Sequence, residues 1–116
     1  MQRNKSIKEQ PFVISDDIAW DSAAEGVERK VLGHDDHLMM VCVRFKKGAV
    51  GTLHHHINRQ ISYVESGLFE VTINGNKKIL KQGDCFVVAP NLVHGVIALE
   101  KGSLIDIFNP SRADFL

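Results

Sequence analysis

Three residues in one seven-residue stretch, His54, His56 and Gln60, form the pattern H-x-H-x-x-x-Q. His94 follows later, after a Gly83-Asp84…Pro90 run. Three imidazoles and one amide oxygen can hold a divalent first-row metal and leave coordination positions open for water or substrate. A lone histidine is ordinarily a satisfied polar residue, and His34, His37 and His55 are read that way. Their spacing sets His54, His56 and His94 apart.

Such side chains must be aimed by the backbone. Along a strand, residues i and i+2 face the same way, so His54 and His56 project together and His55 points away. Gln60 opens the next strand, and His94 enters a late one. The surrounding pattern is all-β: short runs rich in Val, Ile and Phe, broken by Gly, Asn, Asp and Pro. Strands are expected near 27–32, 37–46, 51–56, 60–65, 68–73, 77–81, 85–89, 95–100 and 103–109. Strands this short, recurring about every ten residues, predict a sandwich or barrel. Asn74-Gly75 suits a type I′ hairpin turn, and Gly67, Gly83 and Gly102 mark other turns. No long stretch holds a capped 3.6-residue period, so little helix is expected.

A chain of 116 residues fits one domain. Residues 1–25 read as a polar N-terminal arm and loop, with Trp20 as a docking anchor, and 26–116 as the β domain. Acidic and basic residues balance at 14 each, which gives no sign of a nucleic-acid partner or an anionic membrane. No run approaches the ~18 apolar residues of a membrane span, and Met1–Lys8 lacks the apolar centre of a signal peptide. Cys42 and Cys85 lie in apolar runs and read as small buried hydrophobes in a reducing compartment, so the cytoplasm is expected.

Near the C-terminus Leu104, Asp106 and Phe108 share one strand face, and Ile105 and Ile107 share the other. An aspartate among apolar neighbours is a local conflict. Either it points to solvent, or it points into a pocket. In the second case Ile105 and Ile107 face outward and need cover, which suggests a partner subunit.

Gly48-x5-His54-x-His56-x3-Gln60-x6-Gly67 resembles the first cupin motif, and Gly83-Asp84…Pro90-x3-His94 resembles the second. The resemblance implies a cupin double-stranded β-helix, a jelly-roll barrel with a metal inside. Gln60 stands where the first motif usually has glutamate, and Asn91-Leu92 stand where the second has glycine after its proline. A neutral amide leaves the metal centre one unit more positive than glutamate would. That favours Lewis-acid polarisation of a bound oxygen over redox work.

Asp106-x-Phe108-x-Pro110-x-Arg112-x-Asp114-Phe115-Leu116 further resembles the small pectin-degradation cupins of the KdgF type. Asp36–Val41 and Lys46–Val50 are similar to them as well. That family usually has Pro and Glu between the second histidine and the glutamine, where this chain has Ile57-Asn58-Arg59. The resemblance implies a metal held by His54, His56, Gln60 and His94, with Asp106, Phe108 and Arg112 as functional residues. It also implies the activity: ring opening of 4,5-unsaturated uronate monosaccharides to linear keto-deoxyuronates in pectin and alginate catabolism. Asp106 would shuttle the proton that C4 takes up, Arg112 would clamp the sugar carboxylate, and Phe108 would wall the flat ring. The plainer readings are a surface Asp106–Arg112 ion pair and core positions for Phe108 and Tyr63. A small anionic sugar substrate, a homodimer and a divalent nickel, zinc, iron, manganese or cobalt ion are expected. The alternatives are another metal-dependent cupin enzyme (a dioxygenase or isomerase) and a non-catalytic sugar-binding cupin.

Overall fold

Alternation between apolar and polar residues builds this molecule strand by strand. The computed structural model describes residues 11–116, so residues 1–10 of the expected arm lie outside the described residues. The strands are β1 (Asp21–Ala24), β2 (Val27–His34), β3 (Met39–Phe45), β4 (Val50–His54), β5 (Arg59–Ile73), β6 (Asn76–Lys81), β7 (Cys85–Val88) and β8 (His94–Asn109). The helical content among the described residues is two single turns of 3-10 helix, Ser15–Asp17 and Ala113–Phe115. The all-β expectation therefore holds. Among the described residues no helix is long and apolar enough to cross a membrane.

Hydrogen-bond registers sort the strands into two layers, with every pair antiparallel. One layer runs β1-β2-β3-β8-β5-β7 and uses the second half of β8 and the first half of β5, as Val43↔Leu104, Gln60↔Phe108 and Gln60↔Val88 show. The other runs β4-β8-β5-β6 and uses the remaining halves, as Val50↔Ile97, Val71↔Val96 and Val71↔Lys78 show. Strands β5 and β8 thus belong to both layers and form the spine of the sandwich.

Turns were expected at Gly67 and Gly102, yet each lies inside a continuous strand. The reason is a backbone crossing. A Cβ on Gly102 would sit 2.2 Å from the Ser66 carbonyl oxygen, and one on Gly67 would sit 2.7 Å from the Gly102 Cα. Only glycine permits that approach, and Gly67 also takes φ +90°. The pairing slips between Val64 and Phe69, as it does where strands bend from one sheet into another.

The core lies between the layers. Met39, Val41, Val64 and Phe69 are fully buried, and the Phe45 and Phe69 rings meet edge to face at 5.2 Å. Alternation that sends Val41, Val43, Phe86 and Val88 inward sends Cys42 and Cys85 outward. Cys42 is half-buried and Cys85 exposed, both as free thiols, which corrects their expected burial. Tyr63 is likewise exposed on the outer face rather than packed. Trp20 lies against the Arg44 guanidinium at 4.0 Å and Lys30 Nζ at 4.8 Å, pinning the N-terminal segment to β2 and β3. Strand β1 forms within the segment read as arm and loop. Its Asp-Ser-Ala-Ala sequence is exposed throughout, so no alternation marks it.

Two turns carry positive φ without being all glycine. Asn74 (φ 50°) and Gly75 (φ 83°) close the expected hairpin between β5 and β6. Asn91 takes φ 67° at the place where the second cupin motif has its glycine. Asparagine tolerates the left-handed region better than most residues, so the departure from the motif preserves the backbone path. That path leads directly into β8 and His94.

Candidate metal centre and its pocket

His54 ends β4, His94 begins β8, and the two are cross-strand neighbours in the second layer. Gln60 comes from β5 in the first layer and reaches across the interior. His56 sits in the short loop between β4 and β5, after the strand that was expected to carry it has ended. The ligand-capable atoms of the three histidines lie within 4.8 Å of one another. Ring centroids are 4.4 Å apart for His54–His94, 4.9 Å for His56–His94 and 5.4 Å for His54–His56. His94 and Gln60 are buried, His56 is half-buried, and His54 is exposed at the mouth.

The hydrogen-bond partners of these side chains leave room for a metal. His54 Nδ1 lies 2.8 Å from the Thr52 carbonyl, His56 Nδ1 2.9 Å from that of Asn58, and His94 Nδ1 2.8 Å from that of Leu92. A carbonyl only accepts, so each Nδ1 carries the hydrogen and each Nε2 presents a lone pair. Gln60 Oε1, also an acceptor, stands 3.0 Å from His56 Nε2 and 3.2 Å from His94 Nε2. Burial pushes the His94 pKa down to about 4, and burial plus the nearby Arg112 charge lowers that of His56, so neither supplies a second proton. Lone pairs converge with no hydrogen between them. A cation resolves that conflict, and neutral imidazole with amide oxygen is a donor set that first-row divalent metals accept.

Beside this centre the amide of Gln60 donates to Ser62 Oγ at 2.9 Å, and Ser62 Oγ donates to Asp106 Oδ1 at 2.6 Å. Asp106 therefore points inward, opposite Ser62 on β5 and Val41 on β3. Burial raises its pKa to about 6, against the opposing pull of the Ser62 hydrogen bond and the Arg112 charge. Phe108, 2 % exposed, meets the His56 ring edge at 5.7 Å. It is both a core residue and a wall of the site. His54, Gln60, His94, Asp106, Phe108 and Arg112 all line one cavity of about 200 Å³. A larger open trough of about 840 Å³ contains neither the histidines nor Asp106.

Arg112 does not pair with Asp106 as the plainer reading had it. Its Nε and Nη2 donate to Asp114 at 3.0 and 2.8 Å, which holds the Asp114 carboxyl below the usual range. The guanidinium is largely buried and packs over Phe108 and Phe115 at 5.3 and 4.2 Å.

Three contributors escaped the sequence patterns. Asn58, in the stretch that departs from the family, holds His56 with its carbonyl, and its side-chain amide donates to Pro110 and Ser111 carbonyls at 2.8 and 3.3 Å. One residue thus braces both a histidine and the tail that carries Arg112. Arg29 lines the cavity and stacks on Phe115 at 3.9 Å. Ser62 is fully buried two residues beyond Gln60, on the same strand face; alternation alone points to it. Of the set-aside histidines, His37 and His55 are exposed, whereas the buried Nε2 of His34 meets no partner among the described residues.

Known proteins share this sequence pattern and fold. Residues 41–108 match the cupin domain family. The pectin degradation protein KdgF of Dickeya dadantii is 52% identical over 107 residues, covering 90% of this chain and 97% of that one. The structure of KdgF from a Halomonas species superposes with a TM-score of 0.86 at 45% identity, covering 90% of this chain and 97% of the other. An RmlC-like cupin from Shewanella frigidimarina superposes with a TM-score of 0.88 at 39% identity, covering 90% and 95%.

Proposed function

This chain belongs to the cupin family, and within it to the KdgF-type pectin-degradation cupins; from that premise we propose that it opens the ring of 4,5-unsaturated uronate monosaccharides. The reaction is an isomerisation. The anomeric O1–H proton leaves, the C1–O5 bond breaks as C1=O forms, and C5=O forms as C4 takes up a proton. No co-reactant is needed. The observation that carries the proposal is that the small cavity lined by the lone-pair donors His54, Gln60 and His94, with His56 beside them, also holds a carboxyl with a pKa of about 6 and a guanidinium.

The residues divide the work by chemistry. His54, His56, Gln60 and His94 are the candidate metal ligands, and a bound divalent cation would supply Lewis-acid polarisation of the sugar oxygens. Ser62 occupies Asp106 Oδ1, which leaves Oδ2 to take the anomeric proton and return it at C4. A pKa near 6 suits both halves of that exchange at neutral pH. Arg112 supplies the charge that anchors the substrate carboxylate. Phe108 closes the apolar side of the cavity against the flat C4=C5 region. At about 200 Å³ the cavity is below the ~300–1,000 Å³ usual for larger ligands, which favours a monosaccharide over a polymer.

The proposal extends to a homodimer in the cytoplasm. On the outer face of the first layer Met40, Ile107, Ile61 and Val87 form one cross-strand row, and Cys42, Ile105, Tyr63 and Cys85 form the next. A contiguous apolar sheet face of this kind calls for a partner, and two free thiols on it suit a reducing compartment.

The deciding test follows loss of the conjugated-alkene absorbance when purified protein meets 4,5-unsaturated galacturonate, with and without a chelator. Acceleration over the spontaneous reaction that the chelator abolishes is expected. No acceleration by metal-loaded protein would overturn the proposal.

A further inference from the structure

The ring-opening scheme uses Gln60 and Asp106, and asks of the fully buried hydroxyl between them only that it occupy one Asp106 oxygen. Resting on that scheme, we propose that Ser62 is a positioning residue that couples the metal-facing oxygen of Gln60 to the substrate-facing oxygen of Asp106. The hydrogen bonds run in one direction. Gln60 Nε2 donates to Ser62 Oγ at 2.9 Å, and Ser62 Oγ donates to Asp106 Oδ1 at 2.6 Å. A serine hydroxyl has one hydrogen. With that hydrogen committed to Asp106, only lone pairs face Gln60. The amide must then present N–H to Ser62 and turn Oε1 toward His56 and His94.

Among the described residues no other side chain bonds both the Gln60 amide N–H and the Asp106 carboxyl. Ser62 is 0 % exposed, so water does not replace its hydroxyl. Without it, the Gln60 amide could rotate by half a turn at little steric cost. It would then offer NH₂ to the imidazole lone pairs, and an amide nitrogen has no lone pair to give a metal. Asp106 would lose the anchor that selects which of its oxygens faces the cavity.

The same logic explains why position 60 holds an amide where the first cupin motif usually has glutamate. A carboxylate has no N–H to donate. Ser62 would then face two carboxylates with a single hydrogen, and the relay would lose its direction. Gln60→Glu is therefore not conservative in this chain: it keeps an oxygen for the metal and disconnects Asp106.

The test compares Ser62→Ala, Ser62→Thr and Gln60→Glu with the parent, measuring zinc affinity by chelator competition and kcat and KM for ring opening. Ser62→Ala should lose about 10- to 100-fold in both zinc affinity and kcat, the usual cost of losing an outer-shell partner, with KM changed less. Ser62→Thr should restore both, because it keeps the hydroxyl. In an Asp106→Asn background Ser62→Ala should weaken zinc binding as before yet lower kcat no further. Simple loosening of the barrel would lower both again. Zinc affinity and kcat of Ser62→Ala within about twofold of the parent would overturn the proposal. Should Ser62→Ala fail to fold, Gln60→Glu decides the matter. Zinc retained with kcat reduced in the parent but no further in the Asp106→Asn background supports the relay. An unchanged kcat, or one reduced equally in both backgrounds as lower metal charge alone would do, overturns it. The zinc arm needs no substrate, so a parent protein that opens no ring would refute the ring-opening scheme and leave Ser62 to be judged on affinity alone.

Discussion

The inner and outer faces of β5 and β8 invert the usual assignment over one short stretch. Inside stand Gln60, Ser62 and Asp106; outside stand Ile61, Tyr63, Ile105 and Ile107. Further along the same strands Val64, Phe69, Ala98 and Leu104 restore an apolar interior. Pairing separates the two regions. The inward polar groups form a directed chain in which Gln60 donates to Ser62 and Ser62 to Asp106, and hydrogen-bonded groups of this kind are tolerated in a core. Of the outward apolar side chains, Ile61 and Tyr63 are exposed and Ile105 and Ile107 only half-buried. The inner face carries the proposed site, and the outer face the proposed subunit contact.

Removing a lone pair from the inner face should break this contrast most severely. His94→Ala should lose stoichiometric metal and return ring opening to the spontaneous rate; full metal content measured by elemental analysis would refute the ligand assignment. Asp106→Asn should retain its metal and lose about 10²- to 10⁴-fold in kcat, because an amide cannot carry the proton. Activity equal to the parent would remove Asp106 from the mechanism.

The same substitution sharpens the comparison from the side of stability. Asp106 has a folded pKa of about 6 against an ordinary 3.8. Between those values the folded protein holds a proton that the unfolded chain has released. The stability contributed by the neutral carboxyl is therefore complete below about pH 4 and is lost as pH rises through 6. In metal-free protein, Asp106→Asn should thus exceed the parent by about 2–3 kcal/mol at pH 8 and match it near pH 4. Denaturant titration at the two pH values checks the sign. Arg112→Lys keeps charge but loses the planar fork, so KM should rise about tenfold with kcat less affected. On the outer face, Ile107→Lys should halve the mass measured by sedimentation while leaving the ring-opening rate near that of the parent. A parent already sedimenting as a monomer would dismiss the proposed dimer.

Much of the site was legible because its parts repeat at local spacings. His54, His56 and Gln60 stand close in sequence, Asn74-Gly75 marks its own turn, and the alternation around Asp106 narrows its direction to two choices. What stayed hidden depends on contacts between distant segments. Gly67 and Gly102 read as turns because their sequence shows flexibility, whereas the cause is each other's backbone. Asn58, Arg29 and the Arg112–Asp114 pair acquire meaning only when the C-terminal tail folds back over the cavity. Cys42 and Cys85 were misplaced because an apolar run does not state which of its faces is inside.

Strand β8 is the shared neighbour of β3, β4 and β5, and it follows all of them along the chain. During synthesis, those three strands emerge before the segment that joins them. The emerging polypeptide therefore carries unpaired strand edges until residues 94–109 are available. Such long-range closure makes folding slow and late, with edges open to wrong partners in the interval. His94 and Asp106 arrive on that closing strand, so barrel closure and completion of the candidate metal centre occur in the same event.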